Sequence, residues 1–180
     1  MHGLERRQTG QATVMISRRT LLVGGAALAG LAGCATQSKF RNYQGPQVTS
    51  IQVFKSRRKM YLMHGDKALR TFDFELGGDP VGAKMYEGDG KTPEGAYMIN
   101  RRNPNSSYYL SIGISYPNEA DVARATAMGL RPGGDIFIHG TPREMRRAQD
   151  WTAGCIAVTN REMEDIYAMV RDNTPIYIFP

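Results

Sequence analysis

Beyond residue 48 the apolar residues come only in short runs, each cut off by glycine, proline or a polar turn. Ser50-Ile51-Gln52-Val53-Phe54 alternates, as a half-buried strand does. Lys59–Met63 and Ala68–Phe74 flank Gly65-Asp66, the pattern of a β-hairpin. Ala96–Ile99, Tyr108–Ile112, Asp135–Ile138 and Pro175–Phe179 read as further strands. Such runs are too short to stack as a helical bundle, and 20 glycines in 180 residues agree with a turn-rich chain. Two segments differ. Asn118 caps a helix reaching Met128, with Gly129 as its stop. Thr159 and Glu162 form a capping box, after which Met163, Ile166, Tyr167 and Val170 share one helix face. The expected fold class is mostly β with a few helices (α+β).

The first 33 residues have another character. Ser17-Arg18-Arg19-Thr20-Leu21-Leu22 opens an apolar, small-residue run to Gly33, the pattern of a secretory signal peptide. The run is too short to span a hydrocarbon core of about 30 Å. Its arginine pair resembles a twin-arginine export signal. Residues 1–14 add nothing such a signal needs, which makes Met15 a second candidate start. Leu31-Ala32-Gly33-Cys34 resembles a lipobox, which implies acylation of Cys34 and attachment to a membrane. Ala35 and Thr36 follow with no aspartate, which favours the outer membrane. Residues 34–47, with Gly45-Pro46, read as a lipidated N-terminus and tether, and 48–180 as one folded domain. The expected location is the periplasmic side, on a membrane.

Charge excludes some functions. The formal net charge is +6, but Arg6, Arg7, Arg18 and Arg19 against Glu5 put half of it in the leader. A mildly basic remainder without a basic stripe suits an acidic polymer or a membrane surface, not nucleic acid. His2, His64 and His139 lack ligand spacing with one another or with either cysteine, so no metal and no cofactor is expected.

The chemistry concentrates near residue 155. His139 ends the run Ile136-Phe137-Ile138, and Cys155 lies in Asp150-Trp151-Thr152-Ala153-Gly154-Cys155-Ile156. Either residue alone reads as structural. Together, a strand-end imidazole supplies the base that a thiol needs near neutral pH. Small residues beside the cysteine admit a substrate backbone and expose N–H groups near Gly154 and Cys155 to a developing oxyanion. Thr152 is read as ordering the loop.

His139-Gly140 followed by Thr152-x-Gly154-Cys155 resembles the signature of the L,D-transpeptidase (YkuD-type) catalytic domain family. Lys91-Thr92-Pro93-Glu94-Gly95-Ala96-Tyr97 resembles that family's Thr-Pro-x-Gly-x-aromatic segment. The stretches Asp79–Asp89, Leu110–Pro117 and Gly133–Gly140 are similar to the branch that releases wall-bound lipoprotein. The resemblance implies a β-sandwich catalytic domain over 48–180. It also implies Cys155 as nucleophile, His139 as proton donor and acceptor, and peptidoglycan stem peptides as partner. The reaction would be acyl transfer through a thioester. Hydrolysis that releases D-alanine or a wall-linked lipoprotein is the first alternative. A silent peptidoglycan-binding lipoprotein is the second. A sortase-like enzyme ranks last, because no arginine is placed by a sortase-type motif. Two departures stand out. The wider family carries a second histidine where this chain has Ala153, and an arginine where it has Ala157.

Overall fold

The structure is a computed structural model that describes residues 38–180. Residues 1–33, read as a signal peptide, Cys34, read as an acylation site, and the start of the segment read as a tether lie outside the described residues. The element order is β1 (Ser50–Phe54), β2 (Lys59–His64), β3 (Lys67–Asp73), β4 (Gly95–Asn103), β5 (Ser111–Ile114), α1 (Glu119–Ala127), β6 (Phe137–His139), β7 (Ile156–Ala157), α2 (Asn160–Met169) and β8 (Pro175–Phe179). The mostly-β fold with two α-helices is therefore as the sequence implies.

The strands form one sheet in the order β3-β2-β1-β8-β4-β5-β6-β7. Strand β4 turns the sheet over. Its first half pairs with β8 and its second half with β5, with a register shift between Ile99 and Arg101. A bulge of this kind bends a strand and increases its twist. The sheet then curls until its two ends meet. Glu75, just past β3, exchanges backbone hydrogen bonds of 2.8 and 2.9 Å with Ala157 of β7. Closure satisfies edge groups that an open sheet would leave to other chains.

Alternation decides what fills the interior. Ile51 and Val53 of β1, Met60 and Leu62 of β2, and Ile176 and Ile178 of β8 are all buried. Ile112, Ile138 and Ile156 stand opposite one another across β5, β6 and β7 and extend the same core. Helix α2 packs against β5 and β6. It starts as its capping box requires, with the Glu162 N–H donating to Thr159 Oγ1 and the Thr159 N–H donating to the Glu162 carboxylate. Met163 and Ile166 are fully buried on its inner face. Ile166→Ala is expected to cost about 2–5 kcal/mol, from lost transfer energy plus the residual cavity. Chemical denaturation checks this, with a fall in midpoint at unchanged slope.

Residues 38–47, within the segment read as a tether, lie along the domain. Arg41 pairs with Glu164 and Asp165, each at 2.6 Å. Lys39 Nζ donates to the carbonyls of Pro104 and Tyr109 at 2.5 and 3.2 Å. Val48 and Tyr43 then enter or abut the core.

Candidate active site

The strand period brings the predicted residues together. In the parallel pair β6–β7, Ile138 stands opposite Ile156 and His139 opposite Ala157. Successive side chains on a strand point to opposite faces. The isoleucines point into the core. His139, one residue after Ile138, and Cys155, one before Ile156, therefore share the other face. Both line a cavity of about 290 Å³, with Asn103, Ser107, Tyr108, Ser111, Asp135 and Phe137 among its other walls.

Cys155 is a free thiol. Its Sγ receives the Phe137 N–H at 3.4 Å and donates towards the Asp135 carbonyl at 3.5 Å. Burial pushes its pKa up. The Phe137 N–H opposes that shift and the Asp135 charge adds to it. His139 is 3% exposed. Burial pushes its pKa down, against a smaller upward effect of the Gly140 carbonyl. Nδ1 lies 2.7 Å from that carbonyl. A carbonyl only accepts, so Nδ1 carries the proton and Nε2 is the basic nitrogen. Both shifts favour a neutral thiol beside a neutral imidazole in the free protein. A neutral imidazole with Nε2 free can accept a thiol proton.

Tyr108 stacks on the His139 ring with centroids 4.5 Å apart, and Trp151 tilts against it at 5.5 Å. These two aromatics hold the imidazole plane, and the sequence reading did not assign them this part. Tyr108 was read as the start of a strand, but it lies in the turn before β5. The polar Asn103-Pro104-Asn105-Ser106-Ser107 stretch ahead of it was the available signal.

The turn that carries Cys155 is fixed from three sides. Thr152 Oγ1 accepts the Gly154 N–H at 3.1 Å and donates to the Cys155 carbonyl at 2.8 Å. The Gly154 N–H is thereby engaged, whereas the Cys155 N–H has no acceptor among the described residues. The Thr-Pro segment lies behind the turn, where Thr92 Oγ1 donates to the Gly154 carbonyl at 2.8 Å. Asp150, which opens the run, is held by two bonds from Arg58 and accepts the Leu76 N–H. The Arg58 guanidinium holds the Asp150 carboxyl below the usual carboxylate range. Gly154 has φ +126°, and a Cβ there would lie 2.5 Å from the Lys91 carbonyl oxygen. Gly154→Ala is therefore expected to displace the turn. It should lower the Cys155 alkylation rate at least about tenfold and destabilise the fold by about 1–3 kcal/mol. Alkylation kinetics and thermal melts check both effects.

Ala153 is exposed on this turn. Ala157 is buried and lines a separate cavity of about 510 Å³ with Glu75, Thr141 and Trp151. Among the described residues no three His, Cys, Asp or Glu side chains gather as a metal site.

Comparison with known proteins fits this geometry. The model of the YkuD L,D-transpeptidase catalytic domain matches residues 49–178. YafK of Escherichia coli K12, provisionally named an L,D-transpeptidase, is 29% identical over 163 residues. That match covers 83% of this chain, which spans 60% of the relative's length. The helical cell shape determining protein Pgp2 of Campylobacter jejuni superposes with a TM-score of 0.59 at 27% identity, over 76% of this chain and 49% of that one. An L,D-transpeptidase of Mycobacterium smegmatis, 12% identical, shares the fold with a TM-score of 0.51 over 74% of this chain and 59% of that one. With 130 consecutive residues matched, and a strand-end histidine and a cysteine on one cavity wall, the chain belongs to the L,D-transpeptidase catalytic domain family.

Proposed function

We propose that the protein is a cysteine-dependent acyltransferase acting on peptidoglycan stem peptides. The observation that carries this reading is the shared cavity of Cys155 and His139, with the imidazole tautomer fixed so that Nε2 is the base. In the first half-reaction the Cys155 proton passes to His139 Nε2 as the sulfur attacks a stem-peptide carbonyl at the L-centre of a diaminopimelate residue. The oxyanion takes the Cys155 N–H, a donor with no acceptor among the described residues. Removing one such donor costs a few kcal/mol in related chemistry. The tetrahedral species collapses to a thioester, and the leaving amine recovers the proton from His139. In the second half-reaction an amine or water gives a proton to His139 and attacks the thioester, which restores the thiol. An amine yields a cross-link and water yields hydrolysis.

The leaving group is D-alanine or the lysine of a wall-linked lipoprotein. Ala153 and Ala157 weaken the case for routine cross-linking, because the side chains that the wider family carries there are missing. Export through the Arg18-Arg19 signal and acylation of Cys34 would hold the enzyme on the periplasmic side of a membrane, within reach of the wall. The test is liquid chromatography with mass spectrometry of wall digests. Wild type and Cys155→Ala are compared, with and without an amine acceptor, and with a wall-linked lipoprotein as substrate. Products altered by wild type alone support the reading. Equal products from both proteins reject it, and a silent wall-binding protein is then the better description.

A further inference from the structure

We infer that Arg101 is the residue that recognises a substrate carboxylate at the mouth of the Cys155 cavity. This rests on the acyl-transfer reading, since it names what that site selects. The named walls of the cavity include one carboxylate, Asp135, and no lysine or arginine. His139 contributes no charge while its ring is neutral. A stem peptide is anionic, so it needs a cation near the thiol.

The register supplies one. Arg101 of β4 stands opposite Gly113 of β5, which stands opposite Phe137 of β6. With no side chain on Gly113, the arginine lies flat across β5. A Cβ on Gly113 would be 2.5 Å from Arg101 Cγ and 2.9 Å from its Nε. The guanidinium then sits over the Phe137 ring at 4.4 Å and donates to Asp135 Oδ1 at 2.7 Å. These are the two residues whose backbones contact the Cys155 sulfur.

The pair is available for exchange. Its side chains are 44% and 89% exposed, so solvent screens the attraction and little free energy holds it. One N–H of the fork goes to Asp135, and the planar guanidinium has further donors for a second carboxylate. Neighbouring cations are committed elsewhere. Lys84 is buried on Asp89, and Arg102 donates to the carbonyls of Tyr167 and Val170. The ligand class is an acyl-donor peptide with a carboxylate close to the scissile carbonyl. That carboxylate comes either from the departing C-terminal residue or from the second centre of diaminopimelate.

The test separates this from turnover by using two thiol reagents of similar size, anionic iodoacetate and neutral iodoacetamide. Their rates of Cys155 alkylation are followed by mass spectrometry in wild type, Arg101→Gln and Gly113→Ala. The iodoacetate-to-iodoacetamide ratio should fall about fivefold or more in Arg101→Gln, with the iodoacetamide rate held within about twofold, as expected for loss of one charge-assisted contact. Gly113→Ala keeps the net charge but displaces the arginine, so its ratio should fall in the same direction. Donor peptides amidated at the C-terminus or at diaminopimelate then identify the carboxylate, because the relevant amide loses its wild-type advantage and is indifferent to Arg101→Gln. An unchanged ratio in both variants overturns the inference while leaving the thiol chemistry intact. A falling ratio without peptide turnover keeps the anion site and removes the acyltransferase.

Discussion

Cys155→Ala is expected to abolish the acyl-enzyme and to reduce turnover on the order of 10⁴-fold or more, the scale seen when a covalent catalyst loses its nucleophile. No other cysteine lines the cavity, and Ser106, Ser107 and Ser111 lack a hydrogen-bonded base among the described residues. The fold should survive, because the sulfur's hydrogen bonds among the described residues are two long ones, at 3.4 and 3.5 Å, and deleting it leaves the Thr152–Gly154 turn intact. Circular dichroism and melting of the variant check that point. Activity is read as D-alanine release and as covalent mass gain on the protein. Cys155→Ser should behave almost as the alanine variant does, since an alcohol is far harder to ionise than a thiol.

His139→Gln should lower the rate by about 10²–10⁴-fold and also change its pH dependence. On the proposed mechanism the reacting pair is a neutral thiol and a neutral imidazole, the forms that burial favours at each group. Burial lowers the imidazole pKa, so the acid limb of kcat/KM should fall below the usual imidazole value of about 6.5. Burial raises the thiol pKa, so without the base little thiolate forms near neutrality. The variant's residual rate should therefore climb with pH through and beyond the ordinary thiol range, where wild type is already level. Stability follows the same groups. As pH falls through the ordinary imidazole value, the unfolded chain binds a proton at residue 139 that the folded chain refuses, and wild type loses stability. The glutamine variant should lack that component of acid sensitivity. Rate profiles and denaturation midpoints across pH measure the two effects.

Much of this arrangement could be read from the chain. Alternation at Ile51–Val53 and Ile176–Ile178 reports a buried sheet face directly, and the side chains of Asn118 and Thr159 mark helix starts by the bonds they make to nearby backbone. His139 and Cys155 were legible as a pair from their residue types, a base and a thiol, and from the run His139-Gly140 followed by Thr152-x-Gly154-Cys155. Other features are products of long-range register and have no local signal. Arg101 reads as a solvent-facing charge until Gly113 is found opposite it. Tyr108 reads as strand because its run is apolar, yet it lies in the turn ahead of β5 and spends its ring on His139. The closure of the sheet through Glu75 and Ala157 depends on two segments over eighty residues apart. The packing of Lys39 and Arg41 on the domain depends on partners 70 and 123 residues away in the chain.

The most direct measurement is intact-mass and peptide-level analysis of the protein mixed with a stem tetrapeptide donor and quenched in acid. The account predicts a mass gain equal to the donor minus D-alanine, located on the peptide containing Cys155, labile to hydroxylamine and absent in Cys155→Ala. D-Alanine release by Cys155→Ala at the wild-type rate, or an acyl group carried by any other residue, would contradict it.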